Sequence, residues 1–229
     1  VTLVLHAHPL SSYCWKVLIG LYELGAPFEA RTVDLGDPAA RAAFVAMWPT
    51  AKIPLLQDGD RVVPETSIQL EYLDRRFGGR LLSADPDARL EARLWDRVFD
   101  NYVMTPMQQI VADRLRPEDA KDPLGVAQAR GQLQTAYGMV EARFVGDARA
   151  WAAGEDFGLA DCAAAPSLFY AHLVEPFGED RPALAAYLER LIARPSVARV
   201  LAEARPVFQY FPYRERLPAR FWDPEEAQA

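Results

Sequence analysis

Ser11, Ser12, Tyr13 and Cys14 stand side by side in the segment SSYCWK, which puts two hydroxyls, a phenol and a thiol in a row. Such a row suits two kinds of chemistry: O–H groups that donate to an anion, or a thiol that acts as a redox nucleophile. A third arrangement is purely structural, with a hydroxyl capping a helix and a buried cysteine behind it. The chain's two cysteines, Cys14 and Cys162, lie far apart and fit neither a disulfide framework nor a zinc site. His6 and His8 are two apart on one strand face, but no third ligand lies near in sequence, so no metal is expected.

The elements around these residues follow from periodicity. VTLVLHA reads as a short strand, and Cys14, Leu18 and Leu21 recur on one face of the helix that follows. Gly25 is its expected stop. FEARTV alternates like a half-buried strand, and Asp37 to Trp48 is an alanine-rich helix with Pro38 in its first turn. IPLLQ, the turn DGD and RVVPE carry a hairpin signal, and TSIQLEYLDRRF is a helix ending before Gly78. The stretch RLLSADPDA is a linker, and strand signals vanish after it. The expected architecture is a small α/β domain over residues 1–80 and an all-helical domain over residues 87–229. The tail DPEEAQA is expected to be disordered.

Composition narrows the function. The 229 residues carry a formal charge of −7, and the acidic excess falls mainly after Arg80, so a nucleic-acid surface is not expected. No apolar run approaches the length that spans a bilayer, and the first residues lack the basic region of a signal peptide. A reduced, cytoplasmic protein is the expectation.

With its domain order and four local motifs, the whole chain resembles the glutathione S-transferase superfamily. KIPLL followed by RVVPETSIQLEYLDRRF carries the first motif. The resemblance implies a cis Pro54 that turns the backbone of Ile53 toward glutathione's cysteinyl backbone. It implies that Glu65 and Thr66, at a helix start, hold the γ-glutamyl end, and Lys52 is within reach for the glycyl carboxylate. The second motif is GEDFGLADCAAAP, where Gly158 replaces the Ser or Thr of a capping box that keeps Asp161, a structural feature. The third is SSYCWKV, similar to the SSC-W-V pattern of the zeta class and to the CPYC of glutaredoxins. Tyr13 stands where the zeta class has its cysteine, so that class's isomerase activity is not carried over. Both comparisons place Ser11 against the glutathione sulfur, with Ser12 or Tyr13 as further donors, and turn Cys14 toward the core. The fourth is FDNYVMTPMQQIVADRLRP, expected to line the second-substrate pocket with Tyr102, Met104, Met107 and Arg114.

The implied fold is therefore thioredoxin-like and then helical. The implied activity is conjugation of glutathione, as co-substrate, to a small hydrophobic electrophile in detoxification by a cytoplasmic homodimer. A free thiol has a pKa near 8.5, so mostly thiolate at pH 7 requires a shift of about two units, or ~2.7 kcal/mol. A helix N-terminus contributes about 0.3–1 kcal/mol and a hydroxyl bonded to an anion roughly 1.5–3. Together they suffice without a general base. Two alternatives stand beside this one: a thiol oxidoreductase using Cys14, and a glutathione-binding module without catalysis.

Overall fold

The structure, a computed structural model, describes residues 2–146 and 149–222. The DPEEAQA tail, residues 223–229, lies outside them. Strand β1 (Leu3–Ala7) leads into helix α1 (Ser12–Glu23), then β2 (Phe28–Thr32), α2 (Pro38–Met47), β3 (Leu55–Asp58), β4 (Arg61–Val63) and α3 (Thr66–Phe77). The sheet runs β2-β1-β3-β4, with β1 parallel to β2 and antiparallel to β3, and β3 antiparallel to β4. Leu5 pairs with Ala30 on one side and Leu56 on the other. Gly59, at φ 60°, supplies the left-handed residue of the β3–β4 turn.

Each helix start has a local cause. Asp37 accepts from the Ala40 amide at 2.6 Å and caps α2, with Pro38 in the first turn. Gly78, at φ 109°, ends α3. Strand β2 departs from the expected half-buried alternation: Phe28 is partly buried and Glu29 to Thr32 are exposed. It is the edge of the sheet, and α2 lies over β3 instead, with Phe44 packed against Val33 and Leu55.

Past the linker come α4 (Pro86–Val98), a π-helical segment (Phe99–Met104), α5 (Thr105–Arg114), α6 (Pro123–Phe144), α7 (Leu159–Val174), α8 (Pro182–Ala193) and α9 (Pro195–Ala204). Helix α7 is the hub. Among its sixteen residues every one but His172 is buried, and it packs against α1, α4, α5 and α8. Trp15 of α1 joins the two halves, its ring 5.3 Å from Phe169 and 4.9 Å from Tyr170 of α7. One apolar core thus runs from the sheet into the helices.

The start of α7 explains its unusual cap. Asp161 is fully buried and accepts from the amides of Gly158 and Ala152, each at 2.9 Å, and from the Tyr187 hydroxyl at 2.5 Å. Burial pushes its carboxyl up to about 6, against the pull of those donors. Gly158 has no side chain to complete the box, and the linker shows why: a Cβ there would lie 2.7 Å from the Leu81 carbonyl oxygen, which accepts from the Leu159 amide. A glycine cap gives up only a few tenths of a kcal/mol relative to serine, whereas an overpacked contact costs about 1–3 kcal/mol. Packing outweighs capping. Gly158→Ser, although it restores the usual capping residue, is expected to destabilise the protein by about 1–3 kcal/mol. Thermal or urea unfolding checks this, and an unchanged or raised stability would refute the close-packing explanation.

Candidate functional site

A cleft of about 590 Å³ opens between the two halves of the molecule, where the start of α1, the segment before β3 and the start of α3 face the α4–α5 stretch. Ser11 caps α1: its backbone is extended, and its Oγ accepts from the Cys14 amide at 3.4 Å. That bond leaves the hydroxyl proton unused, so it can be given to the Cys14 sulfur or turned into the cleft. No acidic side chain occupies the first turn of α1, so the partial positive charge at its N-terminus is not neutralised there.

The other members of the SSYC row part company. Tyr13 lines the cleft, its hydroxyl 3.5 Å from the Asp100 carbonyl oxygen to which it donates. Burial and then the Asp100 charge push its phenol up to about 12, so it stays protonated and able to donate. Ser12 is buried and lines none of the cleft; its Oγ accepts from Gln108 Nε2 at 3.3 Å. Cys14 has no exposed surface, and burial pushes its thiol up to about 11 against hydrogen bonds from Ser11 and the His8 amide. A neutral, enclosed thiol is a poor nucleophile.

The opposite wall holds Lys52, Ile53, Pro54, Glu65 and Thr66. The Ile53–Pro54 peptide is cis, and Gln69 of α3 donates to the Pro54 carbonyl at 2.8 Å, tying the two segments together. Glu65 precedes α3 with φ at 63°, and Ala51 has φ at 53°. Positive φ in residues other than glycine costs on the order of 1–3 kcal/mol and concentrates at ligand-binding positions. Glu65 is exposed, and Thr66, behind it at the helix start, is buried. Backbone N–H groups at such a start favour a carboxylate.

The α4–α5 wall differs from expectation. Met104 and Met107 are buried in the core, Tyr102 is 54 % exposed away from the cleft lining, and Arg114 pairs with Glu215 at 2.8 Å and stacks over Tyr213. None of the four lines the cleft. Arg97, Asp100, Asn101, Thr105 and Gln108 do. The cause is amphipathicity: the apolar stripe of Met104 and Met107 faces the core, so the polar stripe faces the opening. Its signal was present in the sequence as polar residues at 97, 101, 105 and 108, spaced one helical turn apart. The π-helical segment shifts the register within it, and the Thr105 hydroxyl donates to the Asp100 carbonyl at 3.0 Å.

An ionic cluster reaches from this wall into the interior. Lys16 pairs with Asp96 at 2.6 Å and Asp100 at 2.7 Å, and Arg97 pairs with both aspartates. Burial pushes the Asp100 carboxyl up even though Lys16 and Arg97 pull it down. Among the described residues, no group of three or more His, Cys, Asp or Glu could hold a metal ion, and no helix is long and apolar enough to cross a membrane. His6 Nε2 lies 3.2 Å from Gln57 Oε1, while His8 Nδ1 accepts from the Leu10 amide.

Known proteins share this plan. Residues 5–81 match the family model for the N-terminal domain of glutathione S-transferase, and residues 103–195 match that for its C-terminal domain. A glutathione S-transferase of Pseudomonas putida is 29 % identical over 208 residues, covering 88 % of this chain and 92 % of that protein. A stringent starvation protein A homolog of Haemophilus influenzae is 32 % identical over 203 residues, covering 85 % and 87 %. The crystal structure of a glutathione S-transferase from Methylobacterium radiotolerans, in complex with glutathione sulfonate, superposes with a TM-score of 0.76 at 28 % identity, covering 87 % of this chain and 94 % of that one. With both halves of the fold matched in order, the chain belongs to the glutathione S-transferase superfamily.

Proposed function

We propose that the protein is a glutathione transferase that adds the glutathione thiolate to a small electrophile. The observation that carries this reading is the convergence in one cleft of Ser11 at a helix N-terminus with Lys52, Ile53, Glu65 and Thr66. In this reading the start of α3 and the Thr66 hydroxyl bind the γ-glutamyl carboxylate, and Glu65 takes its ammonium. The Ile53 backbone pairs with the cysteinyl residue as an added strand would, and Lys52 reaches the glycyl carboxylate. The sulfur then faces Ser11. The hydroxyl and the helix dipole stabilise the thiolate, and no proton-abstracting side chain is needed.

The acceptor lies toward Asn101, Thr105 and Gln108. That wall is more polar than the hydrophobic pocket expected from the sequence, and it favours electrophiles that carry a hydrogen-bond acceptor. A cysteine mechanism gains no support, because Cys14 is enclosed and its thiol raised. A second reading, a glutathione-binding module without turnover, keeps some standing because the Haemophilus influenzae relative is named for stringent starvation and not for a transferase activity. Glutathione binding by calorimetry, with and without turnover of an electrophile panel, separates the two.

Both described cysteines are free and buried, which suits the reducing cytoplasm. The homodimer is part of the same proposal. Ile68 of α3 and Leu90 and Leu94 of α4 are exposed, and the Arg93–Glu71 pair brings those two helices together. Large exposed apolar side chains grouped in this way mark an interface.

Three experiments test this reading. Ser11→Ala should raise the pKa of bound glutathione by roughly one to two units, since the hydroxyl supplies about half of the ~2.7 kcal/mol needed. Cys14→Ala should leave that pKa nearly unchanged. Ultraviolet titration of the bound thiolate measures both, and activity lost in Cys14→Ala but kept in Ser11→Ala would reverse the assignment. Thr66→Ala should weaken glutathione binding by about 1.5–3 kcal/mol, read by calorimetry; unchanged affinity would mean that the γ-glutamyl end sits elsewhere. In sedimentation at micromolar concentration the wild type should run as a dimer and Leu90→Glu/Leu94→Glu as a monomer, and a monomeric wild type would remove the interface.

A further inference from the structure

An ammonium with no exposed surface needs a reason to be where it is. Lys16 sits on the buried helix α1, and replacing a buried ion pair by apolar side chains of similar volume is often neutral or stabilising. Stability alone therefore does not account for it. Its contacts suggest another role. The ammonium donates to the Ser67 hydroxyl at 3.0 Å and pairs with Asp96 at 2.6 Å and Asp100 at 2.7 Å. Those partners come from α3, α4 and the π-helical segment, so one cation joins the helix that carries Ser11 to the helix that carries Thr66 and to the second half of the molecule.

Ser67 follows Thr66 directly and has no capacity left for a ligand. Its hydroxyl donates to Asp96 Oδ2 at 2.6 Å and accepts from Lys16 and from Arg97, which uses its single proton and both lone pairs. Whatever Ser67 does for the cleft, it does through the cluster. Two cations face two carboxylates, with Lys16 enclosed and Arg97 reaching the cleft, so the charges balance where α1, α3 and α4 meet.

We propose that Lys16 is a positioning residue for glutathione: by fastening the start of α3 to α1, it sets the separation between Thr66 at the γ-glutamyl end and Ser11 at the sulfur end. The role rests on glutathione occupying the cleft as proposed above. A γ-glutamyl-cysteinyl unit held at its carboxylate and at its sulfur reads that separation. Loosening it weakens binding, whereas the chemistry beside Ser11 proceeds once the site is filled.

Two variants test this in the full chain. Lys16→Met/Asp96→Asn removes one charge of each sign and leaves Arg97 paired with Asp100. Ser67→Ala cuts the tie to α3 without changing any charge. For both, the glutathione Kd and KM should rise by about tenfold while kcat at saturating glutathione stays within about threefold. γ-Glutamylcysteine, which keeps the γ-glutamyl arm and lacks the glycine, should show a loss of the same order. Circular dichroism and thermal unfolding establish which variants are folded, and Ser67→Ala decides the matter should the double variant not fold. Folded variants that bind glutathione like the wild type, or that lose kcat at unchanged KM, overturn the positioning role and leave the transferase reading intact. A wild type that binds no glutathione removes both.

Discussion

Helix α1 has almost no solvent face: from Cys14 to Leu21 every residue is buried, Lys16 and Gly20 included. A helix that is enclosed all round must be covered from several sides at once. Here α3, α7 and α9 pack against it, and Leu3, Leu5 and Leu56 of the sheet share its core. Trp15 enters the aromatic cluster of Phe169, Tyr170 and Phe208, while Lys16 meets the carboxylates of the α4 region. The two halves of the chain therefore share a core. The free end of α1, which presents Ser11, emerges where they meet, and this is why the cleft lies there.

Burial of that helix also sorts the SSYC row. Successive helical residues point about 100° apart, so four adjacent polar groups cannot all face one cleft. Ser11, outside the first turn, faces the opening, and Tyr13 follows it. Ser12 turns under Gln108, and Cys14 turns into the core. The enclosed thiol is pushed up to about 11 by the same burial that makes it a good packing residue. Reactivity and packing are thus alternatives for a cysteine at this position, and the geometry selects packing. The two hydroxyl-bearing side chains left at the cleft are donors in their neutral forms, suited to stabilising an anion and not to abstracting a proton.

The second half of the molecule decides how polar the acceptor side is. Met104 and Met107 form part of the core beneath the π-helical segment, so Asn101, Thr105 and Gln108 make the exposed wall. The capping box of α7 is fitted to the linker by omission of a side chain, since the Leu81 carbonyl occupies the space that a cap residue's Cβ would need. Both features are packing solutions with chemical consequences. The first sets which substrates the wall suits, and the second holds the hub helix against the N-terminal half.

Local signals determined much of this protein. Hydrophobic periodicity, the Asp37–Pro38 start, the Gly59 turn and the Gly78 stop gave the order of elements, because each acts within a few residues of itself. The Ile53–Pro54 and Glu65–Thr66 pairs were singled out by family resemblance and not by local signals, and the fold brings them with Ser11 into one cleft. The exposure of β2 was not legible, since alternation shows a two-faced strand but not whether anything covers it. On α4 and α5 the polar stripe was legible, but not that the cleft would open against it. The partners of Lys16 lie 51 and 84 residues away in sequence at Ser67 and Asp100. No periodicity reports such a pairing. Only the packed chain decides it, because a buried charge takes the counter-charges that the fold brings within reach, wherever they stand in the sequence.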